Sequence, residues 1–152
     1  MGTWWEMILR MLLAALLGGL IGWEREARRK PAGLRTFMLV SLAAAIYVIA
    51  AQEMAARQGE VIDAVRAMAG IAGGVGFLGA GIILQSRGEV FWLTTAASLW
   101  AVAALGMGAG MGMYHVVVPG GVLVFATLKW LADIERRLLG PHKEKGGDDN
   151  GD

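Results

Sequence analysis

Between Val90 and Leu128 the chain runs for thirty-nine residues without a charged side chain. A helix rises about 1.5 Å per residue and the hydrocarbon core of a bilayer is about 30 Å thick, so this run is close to two membrane thicknesses. It reads as a hairpin of two spans. Glycines at 106, 108, 110 and 112, then Tyr114 and His115, mark the expected turn. Pro119 is expected in the first turn of the following helix, where its missing N–H matters least.

Three further apolar segments precede this run. Trp4 and Trp23 bracket the first, at a separation that matches one bilayer crossing, and Glu6 and Arg10 lie four apart and can pair. The second runs from about Phe37 to Met54. The third, Ala67 to Leu84, is uncharged and carries glycine at 70, 73, 74, 76, 79 and 81. Polar stretches separate them: Glu24–Arg35, with Pro31 and Gly33 as helix breakers, then Ala55–Arg66, then the short loop Gln85–Glu89. Met1–Trp5 has no basic n-region and no Ala-x-Ala site precedes Glu24, so the first segment is expected to be kept as a helix.

The pattern predicts an all-α integral membrane protein of about five transmembrane helices, the third and fourth glycine-rich and tightly packed. A helical domain covers residues 1–139, and residues 140–152 form a charged, glycine-rich tail expected to be disordered in the cytoplasm. Composition agrees, with 56% hydrophobic and 18% charged residues, against about 25% charged in soluble domains. A formal net charge of +1 gives no reason to expect a nucleic-acid partner, and the lack of cysteine excludes disulfides and thiol chemistry.

Loop charges predict orientation. Arg25, Arg28, Arg29, Lys30, Arg35, Arg87, Lys129, Arg136, Arg137, Lys143 and Lys145 fall on one side, and only Arg10, Arg57 and Arg66 on the other. The positive-inside rule places the first group in the cytoplasm, the N-terminus outside and the C-terminus inside.

Gly74-Val75-Gly76-Phe77-Leu78-Gly79 spells a dinucleotide fingerprint, but it lies inside an uncharged span with no acid at the required distance. Close helix packing is the better reading for Gly70, Gly74, Gly76, Gly79 and Gly81, because glycine lets backbones approach within lipid. Gly18/Gly22, Gly70/Gly74, Gly106/Gly110 and Gly108/Gly112 are all small-residue pairs of the kind that form helix seams, within a subunit or between subunits. Thr94, Thr95 and Ser98 are the densest intramembrane polar group, with back-bonding to the preceding turn and an interhelical role as the two readings. Asp63 and Arg66 fit a helix cap plus ion pair at the outer start of the third helix.

Glu24, Arg25, Glu26, Arg35 and Thr36 carry more specific chemistry than a topology anchor requires, since carboxylates contribute little to orientation. They are the candidate functional cytoplasmic cluster, with Arg35 expected to pair with Glu24 or Glu26. No phosphate-binding loop or aspartyl-phosphate sequence occurs, and His115 and His142 are far apart, so no enzymatic activity, catalytic residue or cofactor is expected. Magnesium takes oxygen ligands, and the thirteen acids lie at or outside the expected interfaces without forming a ligand cluster.

Three stretches together resemble the MgtC/SapB family of bacterial inner-membrane proteins: Gly22–Glu26 with Lys30–Thr36, then Asp63 and Arg66 leading into Gly74–Gly81, then Leu93–Trp100. The resemblance covers roughly Leu12 to Tyr114. It implies a multi-pass plasma-membrane protein linked to growth in low magnesium, to acid resistance and, in pathogens, to virulence. It also implies action by binding other membrane proteins, among them the ATP synthase, and a homodimer in contact with membrane lipid. A passive cation conduit and a structural subunit of a larger membrane complex are the alternatives. The family typically has Gln and Ser where this sequence has Gly70 and Gly73. Many members also carry a C-terminal cytoplasmic domain, and the short stretch after the last span predicts no regulation through one.

Overall fold

A computed structural model describes residues 3–59, 63–86, 89–131 and 134. It contains α1 (Trp4–Ala27), α2 (Leu34–Gln58), α3 (Ala64–Ile82), β1 (Leu84–Ser86), β2 (Glu89–Phe91), α4 (Leu93–Gly110) and α5 (Tyr114–Ala126). A π-helical turn, Thr127–Leu131, continues α5. All five helices, the last counted through Leu131, are long and apolar enough to cross a membrane. This is a five-span helical membrane protein. Residues 135–152, with the expected cytoplasmic tail, lie outside the described residues.

Close contacts fix the helix directions. Gly18 faces Phe37 and Ser41 while Gly22 faces Leu34, so α1 and α2 are antiparallel. Gly106 meets Ser41 and Gly110 meets Ala45, so α2 and α4 are parallel. Gly108 against Val117, with Leu105 against Gly120, makes α5 antiparallel to α4. Gly79 beside Ala96 and Val75 clustered with Ala103 make α3 antiparallel to α4, so α1, α3 and α5 run one way and α2 and α4 the other.

Helix α4 is the central post. It touches each of the other helices, and 61% of its span is buried against 11% for α3. Ala14, Ile21, Phe37, Ala45, Leu99, Val102, Ala109 and Val117 form the main core, and Ala44, Val75 and Ala103 a smaller one joining α2, α3 and α4.

Glycine sets how closely these helices meet. A β-carbon on Gly18 would lie 2.6 Å from the Phe37 carbonyl, one on Gly22 2.8 Å from Leu34 Cα, and one on Gly110 2.8 Å from the Ala45 carbonyl. One on Gly106 would collide with the Ser41 backbone. Gly106, Gly108 and Gly110 thus lie within α4 as packing positions, and of the expected turn glycines only Gly112, at φ 75, makes the turn. Pro119 lies in the second turn of α5, not the first, because the helix already begins at Tyr114.

Of the two helices expected to pack tightly through glycine, α4 does so and α3 does not. A β-carbon on Gly70, Gly73, Gly74, Gly76 or Gly81 would meet nothing within 4 Å; only Gly79 is in contact, 3.5 Å from Ala96 Cβ. The packing role expected of Gly70, Gly74, Gly76 and Gly81 is not exercised among the described residues, because α3 stands at the rim and leans mainly on α4 and, to a lesser extent, on α2.

The expected loop after α3 is a short antiparallel hairpin, with Leu84 opposite Phe91 and Gln85 opposite Val90. It delivers the chain to Trp92, whose φ of 68 is unusual for a bulky side chain and turns the backbone into α4.

Candidate functional site

The end of α1 is built by its own sequence. Pro31 disfavours helical geometry at Lys30, and the helix closes in a Schellman turn. The Lys30 N–H bonds the Arg25 carbonyl at 3.0 Å and the Arg29 N–H bonds the Glu26 carbonyl at 2.9 Å. Arg29 holds the left-handed position, φ 52, that glycine usually fills.

Within this turn Glu24 and Arg25 are buried, at 9% and 3% exposure. Arg25 Nε donates to Glu24 Oε2 at 2.6 Å. The other carboxylate oxygen forms an ion pair with Arg28 Nε. The same guanidinium groups reach across to the end of α5. Arg25 Nη2 donates to the Leu128 carbonyl at 3.3 Å, and Arg28 Nη2 to the Lys129 carbonyl at 3.0 Å. Both acceptors belong to the π-helical turn that continues α5. One carboxylate thus orients two arginines, which clamp the last span to the first.

Glu26 has a separate task. Its Oε2 accepts the Leu34 N–H at 2.8 Å and caps α2, whose N-cap residue, Gly33, has no side chain to do so.

Of the expected cluster, the structure brings Glu24 and Arg25 together and gives Glu26 to the start of α2. Arg35 and Thr36 are exposed. The expected pairing of Arg35 with Glu24 or Glu26 is not formed, because Arg25, Arg28 and the Leu34 N–H already occupy both carboxylates. Arg28, which completes the clamp, lies outside the expected cluster, although its spacing of four from Glu24 predicts the ion pair that forms.

The remaining polar positions are spread out. Asp63 Oδ1 accepts the Arg66 N–H at 3.0 Å, and its other oxygen lies 3.3 Å from Arg66 Nε, so the cap and ion pair form at an exposed helix start. Thr94 is exposed, whereas Thr95 and Ser98 are buried and Ser98 Oγ donates to the Thr95 carbonyl at 2.9 Å, the back-bonding reading. Ser41 is fully buried with a hydroxyl that finds no hydrogen-bond partner among the described residues.

At the opposite end, Arg10 ties three helices together. It pairs with Glu6 of α1 and donates to Gln52 of α2 at 3.3 Å and to the Gly110 carbonyl of α4 at 3.1 Å. A cleft of about 240 Å³ opens beside it, lined by Met7, Ile49, Gln52, Glu53, Ala56 and Met111. Among the described residues no three His, Cys, Asp or Glu side chains come together as metal ligands. Glu24, the buried carboxylate, is committed to two guanidinium groups. The described residues do not provide the set of oxygen ligands that a resident magnesium ion needs.

Residues 11–137 match the model of the MgtC family. The chain belongs to the MgtC family. It is 38% identical over 138 residues to YhiD of Escherichia coli K12, described as a candidate magnesium transporter, covering 88% of this chain and 64% of that one. It is 39% identical over 145 residues to SrpB of Synechococcus elongatus, covering 89% and 80%. It is 35% identical over 131 residues to MgtC of Salmonella typhimurium LT2, covering 86% and 54%. The chain thus spans only about half to two thirds of the length of YhiD and MgtC. No solved structure matches it.

Proposed function

We propose that this MgtC-family chain is a non-enzymatic protein of the bacterial plasma membrane that acts by binding other membrane proteins, a second copy of itself included. Its setting would be magnesium limitation or acid stress. The names of YhiD and MgtC support the link to magnesium, and the ATP synthase is the partner that the resemblance suggests. The observation that carries binding is α3. Five of its glycines lie over open space, although each glycine in a helix interior costs about 1 kcal/mol relative to alanine. Nothing among the described residues accounts for that cost, whereas a helix arriving from outside could approach such a backbone closely.

The test is complementation of a strain that lacks its own copy and grows poorly in low magnesium, combined with in-membrane crosslinking from α3. Gly74→Leu is expected to accumulate normally, lose crosslinked partners and fail to restore growth. Full growth with an unchanged crosslinking pattern would remove α3 from the function.

A passive magnesium conduit is the second reading. It is favoured by the unpartnered hydroxyl of Ser41, buried among α1, α2 and α4. Proteoliposomes holding the chain alone would then show magnesium flux that Ser41→Ala changes. The binding reading expects little flux from either.

A further inference from the structure

We propose that the cleft beside Arg10 binds the neutral, carbonyl-bearing ring of a quinone-type lipid. The proposal stands apart from the binding function of α3.

Arg10 carries the first argument. Its side chain is 16% exposed, and its two terminal nitrogens are taken up by Glu6, Gln52 and the Gly110 carbonyl. The Nε–H is buried and meets no acceptor among the described residues. The turn from α4 to α5 closes over one side of the guanidinium, since a β-carbon on Gly112 would lie 3.3 Å from this Nε. A buried donor left without an acceptor is costly, so a guest that brings one is favoured.

Charge decides which kind of acceptor fits. Arg10 is already neutralised by Glu6, and Glu53 adds a carboxylate to the lining of the cleft. The cleft therefore offers no net positive charge to an anion. A neutral carbonyl oxygen meets the donor without that penalty. The Gln52 amide, whose oxygen is held by Arg10, keeps its NH2 group for the same guest.

The walls select a ring. Met7 lies one turn before Arg10 on α1, and Met111 stands between Gly110 and Gly112, which both approach the guanidinium. With Ile49 and Ala56 of α2 they make the apolar part of the lining. Thioethers make favourable contacts with ring edges at about 5 Å. Water would satisfy the Nε–H but leave these apolar groups wet.

Size and depth select the source. At about 240 Å³ the cleft is smaller than the roughly 300–1,000 Å³ of pockets for drug-sized ligands, and holds a single substituted ring. It lies at the end of α1 that carries Trp4 and Trp5, stacked at 4.0 Å and about 60% exposed. Tryptophan marks headgroup level, where a ring can enter from the bilayer while its apolar tail stays among the lipid chains.

The experiment is calorimetric titration of the full chain in neutral detergent with decylubiquinone, decylbenzene and decanoate, probes with tails of similar length. Decylubiquinone should bind saturably. Decylbenzene, which lacks a carbonyl, and decanoate, which is an anion, should bind about tenfold more weakly. Arg10→Lys keeps a cation for Glu6 but removes the Nε–H, and should weaken decylubiquinone about tenfold while leaving decylbenzene unchanged. Ala56→Phe grows into the cleft from α2 and should abolish binding at an unchanged melting temperature, whereas Leu16→Phe on the lipid face should leave binding as it was. Should Arg10→Lys fail to fold, the three probes and Ala56→Phe still decide. Equal affinity for decylbenzene, tighter binding of decanoate, or undiminished binding by Ala56→Phe would overturn the proposal. So would the absence of saturable binding, which would leave a buried water as the partner of the Nε–H.

Discussion

The Glu26 carboxylate bonds the Leu34 N–H, and the absence of a side chain on Gly33 leaves room for it. A β-carbon on Gly33 would lie 2.8 Å from the same Oε2. The start of the second helix is therefore capped by the end of the first, across the turn that reverses the chain. Glu26→Ala should lower stability by about 1 kcal/mol, the usual worth of an N-cap. Gly33→Ala should have a similar effect by displacing the carboxylate, and the two together should cost little more than either alone. Thermal unfolding in detergent reads all three, and strict additivity would show that the residues act separately.

A second prediction concerns Glu24. Glu24→Gln leaves Arg25 buried without its carboxylate, and breaking a buried pair in this way costs about 3–5 kcal/mol. Loss of folded protein is expected, along with loss of protection where the clamp grips Leu128 and Lys129. Arg35→Lys, by contrast, should be neutral for stability, since Arg35 is exposed and makes no ion pair or hydrogen bond among the described residues. If the order of severity were reversed in melting experiments, the clamp would have been misassigned.

The glycines separate into two classes that one substitution can distinguish. Gly106→Leu or Gly18→Leu should prevent folding, because each side chain would enter the backbone of α2. Gly74→Leu should leave the melting temperature of the isolated chain within about 1 kcal/mol of its starting stability, since leucine is the better helix former. Its effect should fall on self-association, read by crosslinking or light scattering. A Gly74→Leu chain that fails to fold as a monomer would place α3 in the core after all.

Orientation can be read chemically, because the chain has no cysteine of its own. A cysteine at Gln58 should react with an impermeant thiol reagent added to intact cells, and one at Ser86 should react only after lysis. The opposite pattern would invert the assignment drawn from the basic residues.

The spans and their number were legible because charge-free length is a one-dimensional property: Val90–Leu128 had to be two crossings whatever it packed against. Pairing within the basic cluster was not. Glu24, Arg28 and Arg35 offer several local combinations, and the choice depends on where the end of α5 lies in space, more than a hundred positions along the chain. Glycine spacing was likewise ambiguous. Gly70/Gly74 and Gly106/Gly110 have the same signature, yet one pair faces open space and the other the α2 backbone. The left-handed Arg29 and Trp92 left no compositional trace, because neither residue type favours that geometry.

The π turn at Thr127–Leu131 has a consequence for insertions and deletions. Such a turn holds about one residue more than the α turn it replaces, since its bonds run from i to i+5. Removing one residue there would let α5 close into regular α geometry and still cross the bilayer. The bundle would keep its five spans, but the carbonyls of Leu128 and Lys129 would rotate out of reach of Arg25 and Arg28. A single codon thus separates a last span latched to the first from one that merely lies beside it.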